Sequence, residues 1–148
     1  MSIRPLESGD LEAVLALQAL CPAAAQWSRK GYMETFEHGA QGFIAEETGS
    51  PAGFVFVRVA SDEMEILNLA VVPSARRRGV GRELMAHATA RAMSSGLSQI
   101  FLEVRESNDA AIRFYEACGF YRSGIRLNYY TSPVESALLF VRSAVTAP

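Results

Sequence analysis

The feature that most constrains the fold is a change of hydrophobic periodicity at Pro73. Before it, residues Glu65 to Val72 predict a strand, in which side chains have a period of two. After a basic loop with two glycines, apolar residues recur at the spacing of a helix, at Val80, Leu84, Ala88 and Ala92. A strand, a glycine-containing turn and a helix must therefore follow one another in the middle of this chain.

The rest of the sequence predicts one α+β domain over residues 1–148. Alternating apolar runs bounded by turn residues predict six further strands, at Ser2 to Pro5, Gly42 to Glu46, Gly53 to Val59, Ile100 to Val104, Tyr121 to Tyr130 and Ala137 to Val141. Three further helices follow residues of the types that cap helix N-termini, namely Asp10, Ser28 and Asn108. No internal repeat or linker divides the order β-α-α-β-β-β-α-β-α-β-β.

Composition and charge exclude several kinds of protein. Hydrophobic residues make up 49% and charged residues 20% of the chain, which is typical of a globular protein and not of a disordered one. No apolar stretch reaches the roughly 20 residues of a membrane span, so we expect a cytoplasmic protein without a membrane partner. The net charge of -2 argues against a direct nucleic-acid partner, and two cysteines without a C-x-x-C pair predict neither a disulfide framework nor a metal site.

The small net charge hides an asymmetry between the two halves of the chain. Residues 1–74 carry four basic and ten acidic side chains, whereas residues 75–148 carry ten basic and six acidic ones. The basic half suggests a small anionic ligand, and the acidic half suggests a cationic partner.

The basic glycine loop is a candidate anion site at the start of the predicted helix. Glycines let backbone N–H groups converge on a ligand, and a helix N-terminus adds about half a positive charge. Gly79 and Gly81 would supply that turn, and Arg76, Arg77 and Arg78 would supply a cationic rim suited to a pyrophosphate. The alternative is a plain turn with a solvated arginine face.

Two other phosphate-binding motifs do not match this loop. A dinucleotide fingerprint needs a third glycine where this chain has Leu84. An ATP-binding P-loop needs Gly-Lys-Ser/Thr, whereas the only lysine of the chain is Lys30. We therefore expect neither a dinucleotide site nor an ATP site.

Two motifs together resemble the acetyl-CoA-dependent GNAT superfamily. The first is Arg76-x-x-Gly79-x-Gly81 after the strand end Leu69-Ala70-Val71, and the second is Leu102-Glu103-Val104-Arg105 followed by Ser107-Asn108, Tyr115 and Gly119-Phe120. The second half of the chain, with Arg126-x-Asn128-Tyr129-Tyr130, and Gln26-Trp27-Ser28 near the start resemble the RimI-type enzymes of that superfamily. These enzymes acetylate the N-terminal alanine of a small-subunit ribosomal protein, and the resemblance covers almost the whole chain.

The resemblance implies a mixed, mostly antiparallel sheet whose central strands splay apart, with helices on both faces. It implies acetyl-CoA as the cosubstrate, bound along the splayed strand and at the glycine loop. The residues that it would place against this ligand are Leu69, Ala70, Val71, Arg76, Arg77, Arg78, Gly79, Val80, Gly81, Asn108 and Tyr115. Unpaired backbone groups in such a groove are costly until a ligand satisfies them, which favours tight binding there.

The resemblance also implies a catalytic set of three groups. The backbone N–H of Val71 would stabilise the oxyanion, Glu103 would act as general base, and Tyr115 would act as general acid to the leaving thiolate. From the residues alone, Glu103 also fits a solvated strand position paired with Arg105 or Arg126. Tyr115 likewise fits a core position on an apolar helix face.

Three aromatic residues are the candidates for contacts with the acceptor. Trp27, Tyr129 and Tyr130 would frame a peptide entrance, or else pack loops onto the core. An α-amine has a pKa of about 7.7 to 8.0, against about 10.4 for lysine, so one unassisted glutamate suits an N-terminal acceptor better. The expected partner is therefore the N-terminus of a basic ribosomal protein. The alternatives are an internal lysine or a small-molecule amine as acceptor, or a non-catalytic CoA-binding module.

Overall fold

Seven strands and four helices make up the part of the chain that the computed structural model describes, residues 1–145. The strands are β1 (Ser2–Pro5), β2 (Gln41–Glu47), β3 (Ser50–Ala60), β4 (Glu63–Val71), β5 (Gln99–Arg105), β6 (Tyr121–Thr131) and β7 (Val134–Ser143). The helices are α1 (Leu11–Ala19), α2 (Arg29–Glu37), α3 (Val80–Ser94) and α4 (Asp109–Ala117). The strands form one mixed sheet in the order β1-β2-β3-β4-β5-β7-β6, so the α+β prediction is confirmed.

The helices lie on both faces of the sheet, as expected. On one face, α3 and α4 pack over a core that contains Leu84 and Ile100, both fully buried. On the other face, α1 and α2 pack over a second core that contains Tyr32 and Phe56, also fully buried. Within residues 1–145, no helix has the length and the apolar character needed to cross a bilayer.

The middle of the sheet is held together by a short parallel contact, which we call the seam. There β4 and β5 pair from Glu63 opposite Gln99 to Glu65 opposite Phe101 and no further, whereas all the other neighbouring strands are antiparallel. Beyond Glu65 the two strands part, and their facing backbone groups have no ladder partner across the gap. The expectation of splayed central strands is therefore confirmed.

A bulge in β4 turns its side chains over just beyond the seam. Phe56 of β3 lies opposite Asn68 and the next residue of β3 lies opposite Ile66, so that Leu67 is the extra residue. Before the bulge, Ile66 belongs to the core under α3, whereas after it Ala70 belongs to the core under α1 and α2. The bulge therefore directs the side chain of Asn68 towards α1 and α2.

Two of the three predicted helix caps are present. The Ser28 hydroxyl accepts a hydrogen bond from the N–H of Gly31, and the Asn108 carbonyl oxygen accepts one from the N–H of Ala111. Asp10 does occupy the predicted N-cap position of α1, but its side chain makes no capping hydrogen bond there, and a short 3-10 turn over Ser8–Asp10 gives it a helical backbone. Its carboxylate pairs instead with the guanidinium of Arg4 at 2.8 Å, which holds the pKa of this carboxyl below its usual value.

Candidate active site

A cleft of about 1410 Å³ opens where β4 and β5 part. It is lined by the loop before α2, by the second half of β4, by the glycine loop and by the first turn of α3. Its opposite side is formed by the end of β5, by α4 and by Tyr130. Most of the predicted site residues lie on this one surface.

The backbone of β4 presents two amides to the cleft. The N–H of Val72 donates to the carbonyl of Ala52 on β3 at 2.9 Å, and hydrogen-bonded and non-bonded pairs alternate in an antiparallel ladder. The amides of Leu69 and Val71 therefore face away from β3. The Leu69 amide already donates to the Asn68 side-chain oxygen at 3.0 Å. The Val71 amide is the next one along the strand and faces the cleft.

The two glycines of the basic loop serve different purposes. Gly79 has a φ of 81°, a left-handed conformation that disfavours other residues, and it immediately precedes α3. At Gly81 a Cβ would lie 3.2 Å from the ring of Phe114 and 3.5 Å from a methyl group of Val71. The first turn of α3 therefore presents N–H groups without helical acceptors at the edge of the cleft. Such a helix start is suited to an anion.

The arginines of this loop do not all face the cleft. Arg76 and Arg77 line it, and the Arg76 Nε donates to the Val71 carbonyl at 3.1 Å. Arg78 pairs with Glu47 of β2 at 2.7 Å and is not part of the lining. Arg82, in the first turn of α3, lines the cleft, although the sequence analysis did not single it out. Its position three residues after Gly79, in the first turn of the predicted helix, could have placed it near the anion site from the sequence alone.

Glu103 lies on β5 at the side of the cleft opposite β4. Its carboxylate pairs with the Nε of Arg126 at 3.3 Å, and its side chain is 15% exposed. Burial raises the pKa of this carboxyl, the charge of Arg126 opposes that change, and the charge of Glu65 adds to it. Arg105, the other candidate partner, pairs with Glu135 instead. The carboxylate is thus largely screened from water and paired with one arginine.

Tyr115 projects from α4 between two other aromatic rings. Its ring centroid lies 5.3 Å from that of Phe114 and 5.8 Å from that of Phe120. It lines the cleft, and its hydroxyl has no hydrogen-bond partner among residues 1–145. Burial raises the pKa of this phenol, so the hydroxyl keeps its proton at neutral pH. An available O–H donor therefore faces the cleft.

Of the three aromatic residues predicted for the acceptor, only Tyr130 lines the cleft. The guanidinium of Arg105 lies 4.0 Å from its ring centroid. Tyr129 packs edge-on against Tyr130 and is half-exposed outside the lining. Trp27 is partly buried and stacks on Tyr32 at 5.3 Å against the core under α1 and α2, in agreement with the alternative interpretation of packing.

Asn108 combines a cap with a position on the cleft. Its side-chain oxygen accepts from the N–H of Ala111 at 3.2 Å, while the residue lines the cleft. Because an asparagine also carries an NH₂ group, capping leaves two donors for a ligand.

Three buried polar residues at or next to the cleft were not predicted from the sequence, namely Gln18, Tyr32 and Asn68. Each is at most 5% exposed, and together they hold the loop before α2 against β4. Asn68 gave a signal that was not used. Asparagine is depleted in strands, and one inside an apolar strand must find hydrogen-bond partners when it is buried.

Comparisons with known proteins agree with this geometry. A model of the acetyltransferase (GNAT) family matches residues 11–120. The ribosomal protein bS18-alanine N-acetyltransferase of Escherichia coli strain K12 is 36% identical over 129 residues, which cover 87% of this chain and 86% of that one. The crystal structure of the ribosomal-protein-S18-alanine N-acetyltransferase from Escherichia coli matches with a TM-score of 0.90 at 34% identity, covering 99% of this chain and 96% of the other. For Ard1 from Thermoplasma volcanium the TM-score is 0.84 at 28% identity, with coverages of 99% and 98%.

Proposed function

Because this chain belongs to the GNAT family of acetyltransferases, we propose that it transfers the acetyl group of acetyl-CoA to the α-amine of an N-terminal alanine on a ribosomal small-subunit protein. The observation that carries the proposal is the meeting, in one cleft, of an inward-facing strand amide, a half-buried carboxylate and a phenol with an available proton. Similarity over most of the chain to enzymes named for that acceptor supports it. Such an acceptor implies a cytoplasmic location.

The glycine loop and β4 fit the ligand that this reaction needs. The N–H groups at the start of α3, with Arg76, Arg77 and Arg82 nearby, suit the diphosphate of CoA. Gly81 allows close packing of α3 against α4, because a Cβ there would lie only 3.2 Å from the ring of Phe114. When bound, acetyl-CoA supplies an acetyl thioester for attack by the amine.

The Val71 amide is the proposed oxyanion donor. It faces the parted strands, and the other inward-facing amide, that of Leu69, is already bonded to Asn68. A donor fixed in the backbone needs no rearrangement when negative charge develops on the thioester oxygen, and loss of one such donor costs about 3 kcal/mol. The fixed position favours the transition state over the ground state.

Glu103 is the proposed general base, taking up the proton that the amine loses on attack. An α-amine with a pKa of about 7.7 to 8.0 is roughly one tenth neutral at pH 7, so its deprotonation costs little free energy. For a lysine the same carboxylate would work against about 2.5 further pKa units, or roughly 3.4 kcal/mol. Glu103 is the one carboxylate among the described residues that line the cleft, and one carboxylate suits an N-terminal amine better than a lysine.

Tyr115 is the proposed general acid to the departing thiolate. A phenol with a raised pKa is a weaker acid than a thiol of pKa about 8.5, so complete proton transfer to the sulfur is uphill. Its main contribution is then a hydrogen bond to the developing sulfur anion. Edge-on contacts with Phe114 and Phe120 restrict the movement of the Tyr115 ring.

A panel of acceptor amines tests the proposed function. The panel contains a peptide with a free N-terminal alanine, the same peptide with a blocked N-terminus and an internal lysine, and a polyamine. Acetylation of the free alanine peptide alone supports the proposal. Preferential acetylation of the lysine or the polyamine would show that the proposed acceptor is wrong. Acetyl-CoA binding measured by calorimetry, without turnover of any amine, would indicate a binding module.

A further inference from the structure

The loop between α1 and α2, residues 20–28, forms one wall of the cleft, which we call the acceptor wall. Three buried neutral side chains hold it, Gln18 from α1, Tyr32 from α2 and Asn68 from the bulge in β4. None of them has a part in the chemistry proposed above. Buried polar groups that are fully hydrogen-bonded fix one arrangement of the chain around them.

Two of these side chains bind the loop backbone as a neighbouring strand would. Asn68 donates from Nδ2 to the carbonyl of Ala25 at 2.8 Å and accepts from the N–H of Ala25 at 3.2 Å. Gln18 donates from Nε2 to the carbonyl of Trp27 at 2.5 Å and accepts from the N–H of Trp27 at 3.3 Å. Each side-chain amide thus satisfies both backbone groups of one loop residue, and both anchor residues are fixed in position.

Tyr32 joins the two side-chain amides into one network. Its hydroxyl donates to Gln18 Oε1 at 2.6 Å and accepts from Asn68 Nδ2 at 2.9 Å. With the Leu69 amide at 3.0 Å, Asn68 then uses both of its donor hydrogens and both lone pairs of its oxygen. The orientation of the Asn68 amide is therefore fully determined by its partners.

Asn68 is the member of this network that lies on β4, the strand on which transfer is proposed. Its oxygen binds the Ala25 amide on the loop and the Leu69 amide on β4. The next cleft-facing amide on β4 is that of Val71, and Ala25 is itself part of the cleft lining. A single side chain therefore links the position of the acceptor wall to the position of the proposed oxyanion donor.

We propose that Asn68 is a positioning residue that fixes the acceptor wall relative to the Val71 amide, so that the incoming amine is held at one distance from the thioester carbonyl. The proposal rests on the proposed function, because it requires that an amine enters along this wall. Loss of the Asn68 amide would release Ala25 and weaken binding of the acceptor peptide. Binding of acetyl-CoA, which depends on the glycine loop and on the Val71 end of β4, would remain.

The test compares Asn68→Ala with Ile44→Ala. Ile44 is fully buried in the same core under α1 and α2, so its truncation also destabilises the protein but removes no hydrogen bond of the loop. For Asn68→Ala we expect at least a tenfold rise in KM for the free alanine peptide, an acetyl-CoA Kd within twofold of the wild type, and faster hydrogen exchange at the Ala25 amide. For Ile44→Ala, the peptide KM and the exchange at Ala25 should stay at the wild-type values.

A second variant decides the matter if Asn68→Ala folds poorly. Asn68→Asp keeps the shape of the side chain and the acceptor for the Ala25 amide, but it turns an oxygen towards the Ala25 carbonyl where a donor stood. It should raise the peptide KM in the same way. An unchanged KM in a folded Asn68 variant, or an equal rise of KM in Ile44→Ala, would overturn the proposal.

The failure of the proposed function gives a different result. If wild-type protein acetylates only a lysine or a polyamine, the acceptor is wrong, and the Asn68 variants are then measured with that amine. Faster exchange at Ala25 in the Asn68 variants, without a change of KM for the amine that is used, would show a loop anchor with no part in positioning.

Discussion

The two sides of the cleft hold their polar groups in opposite ways. The acceptor wall is held by buried, neutral amides and a hydroxyl that satisfy one another. The opposite side, which we call the charged wall, carries ion pairs near solvent. Glu103 pairs there with Arg126, and Arg105 pairs with Glu135, with the arginine side chains 56% and 37% exposed.

The two walls differ in how strongly their polar groups are held and in how their interactions respond to salt. A buried neutral network is costly to break, since a lost partner leaves an unsatisfied group worth about 1–3 kcal/mol, and salt does not screen it. A surface ion pair contributes only about 0.2–1 kcal/mol and weakens with salt. The wall that must keep its form therefore uses the first device. The wall that carries the proposed general base uses the second.

The largest effect is expected on the charged wall, from Glu103→Gln. Removal of a general base costs about 100- to 10,000-fold in kcat, and the acetyl-CoA Kd should not change, because Glu103 lies away from the glycine loop. Steady-state kinetics with the free alanine peptide and calorimetry measure the two. Glu106→Gln, on an exposed residue just after β5, is the matched control and should behave as wild type. Wild-type turnover in Glu103→Gln would show that Glu103 is not the general base.

Tyr115→Phe is expected to have the next largest effect, and it acts on rate alone. A hydrogen bond to a developing anion is worth about 1.5–3 kcal/mol, which corresponds to roughly 10- to 100-fold in kcat. The hydroxyl has no partner among the described residues, so its removal should change the free energy of unfolding by under about 0.5 kcal/mol. Kinetics and urea unfolding of one preparation test both statements. A stable variant with wild-type kcat would show that Tyr115 is only a packing residue.

Tyr32→Phe also removes a tyrosine hydroxyl, in this case from the network behind the acceptor wall. Unlike Tyr115→Phe, it should lower the stability of the protein more than its kcat. It leaves Gln18 and Asn68 each without one buried partner, so the free energy of unfolding should fall by about 1–3 kcal/mol, equally at low and high salt. The change in kcat should be smaller than for Tyr115→Phe, since both loop anchors remain. Urea unfolding at two salt concentrations measures the loss. A salt-dependent loss would mean that the two walls do not differ in the way described.

Arg126→Gln is expected to have the smallest effect and the clearest dependence on pH and salt. Without the arginine charge, the pKa of Glu103 rises further. Glu103 is then protonated at a higher pH, so the fall in activity on acidification should begin at a higher pH. At neutral pH the change in kcat/KM should stay below about fivefold and shrink with added salt. Arg122→Gln, on the same strand and without an ion pair among residues 1–145, is the control for the pH profile. A profile identical to that of wild type would show that the pair does not influence the base.

Sequence was sufficient where the signal lies within a few residues. The change of periodicity after Pro73 and the glycine-containing loop before Val80 together predict the start of α3 correctly. Alternation along β5 predicts that Glu103 and Arg105 share a face, as they do. The caps of α2 and α4 by Ser28 and Asn108 depend on one side chain and a backbone amide three residues away. Such features form locally, whatever the rest of the chain does.

Sequence was insufficient where a residue is defined by a distant partner. Asn68 and Ala25 are 43 positions apart, and Arg78 and Glu47 are 31 apart, so no local pattern reports that they meet. The orientation of Asn68 depends on a bulge that shifts β4 by one residue relative to β3. The position of Trp27 depends on the ring of Tyr32 in another element. These outcomes follow from packing between elements.

The seam also has a consequence for the order in which substrates bind. The acceptor wall belongs to the half of the sheet with β1 to β4, and Glu103 belongs to the half with β5 to β7. Among residues 1–145, the strand pairing between these halves consists of three residue pairs. A molecule lying between the parted strands bridges both halves and sets their separation. We therefore expect acetyl-CoA to add first and the peptide second, with CoA leaving last as a competitive inhibitor of acetyl-CoA.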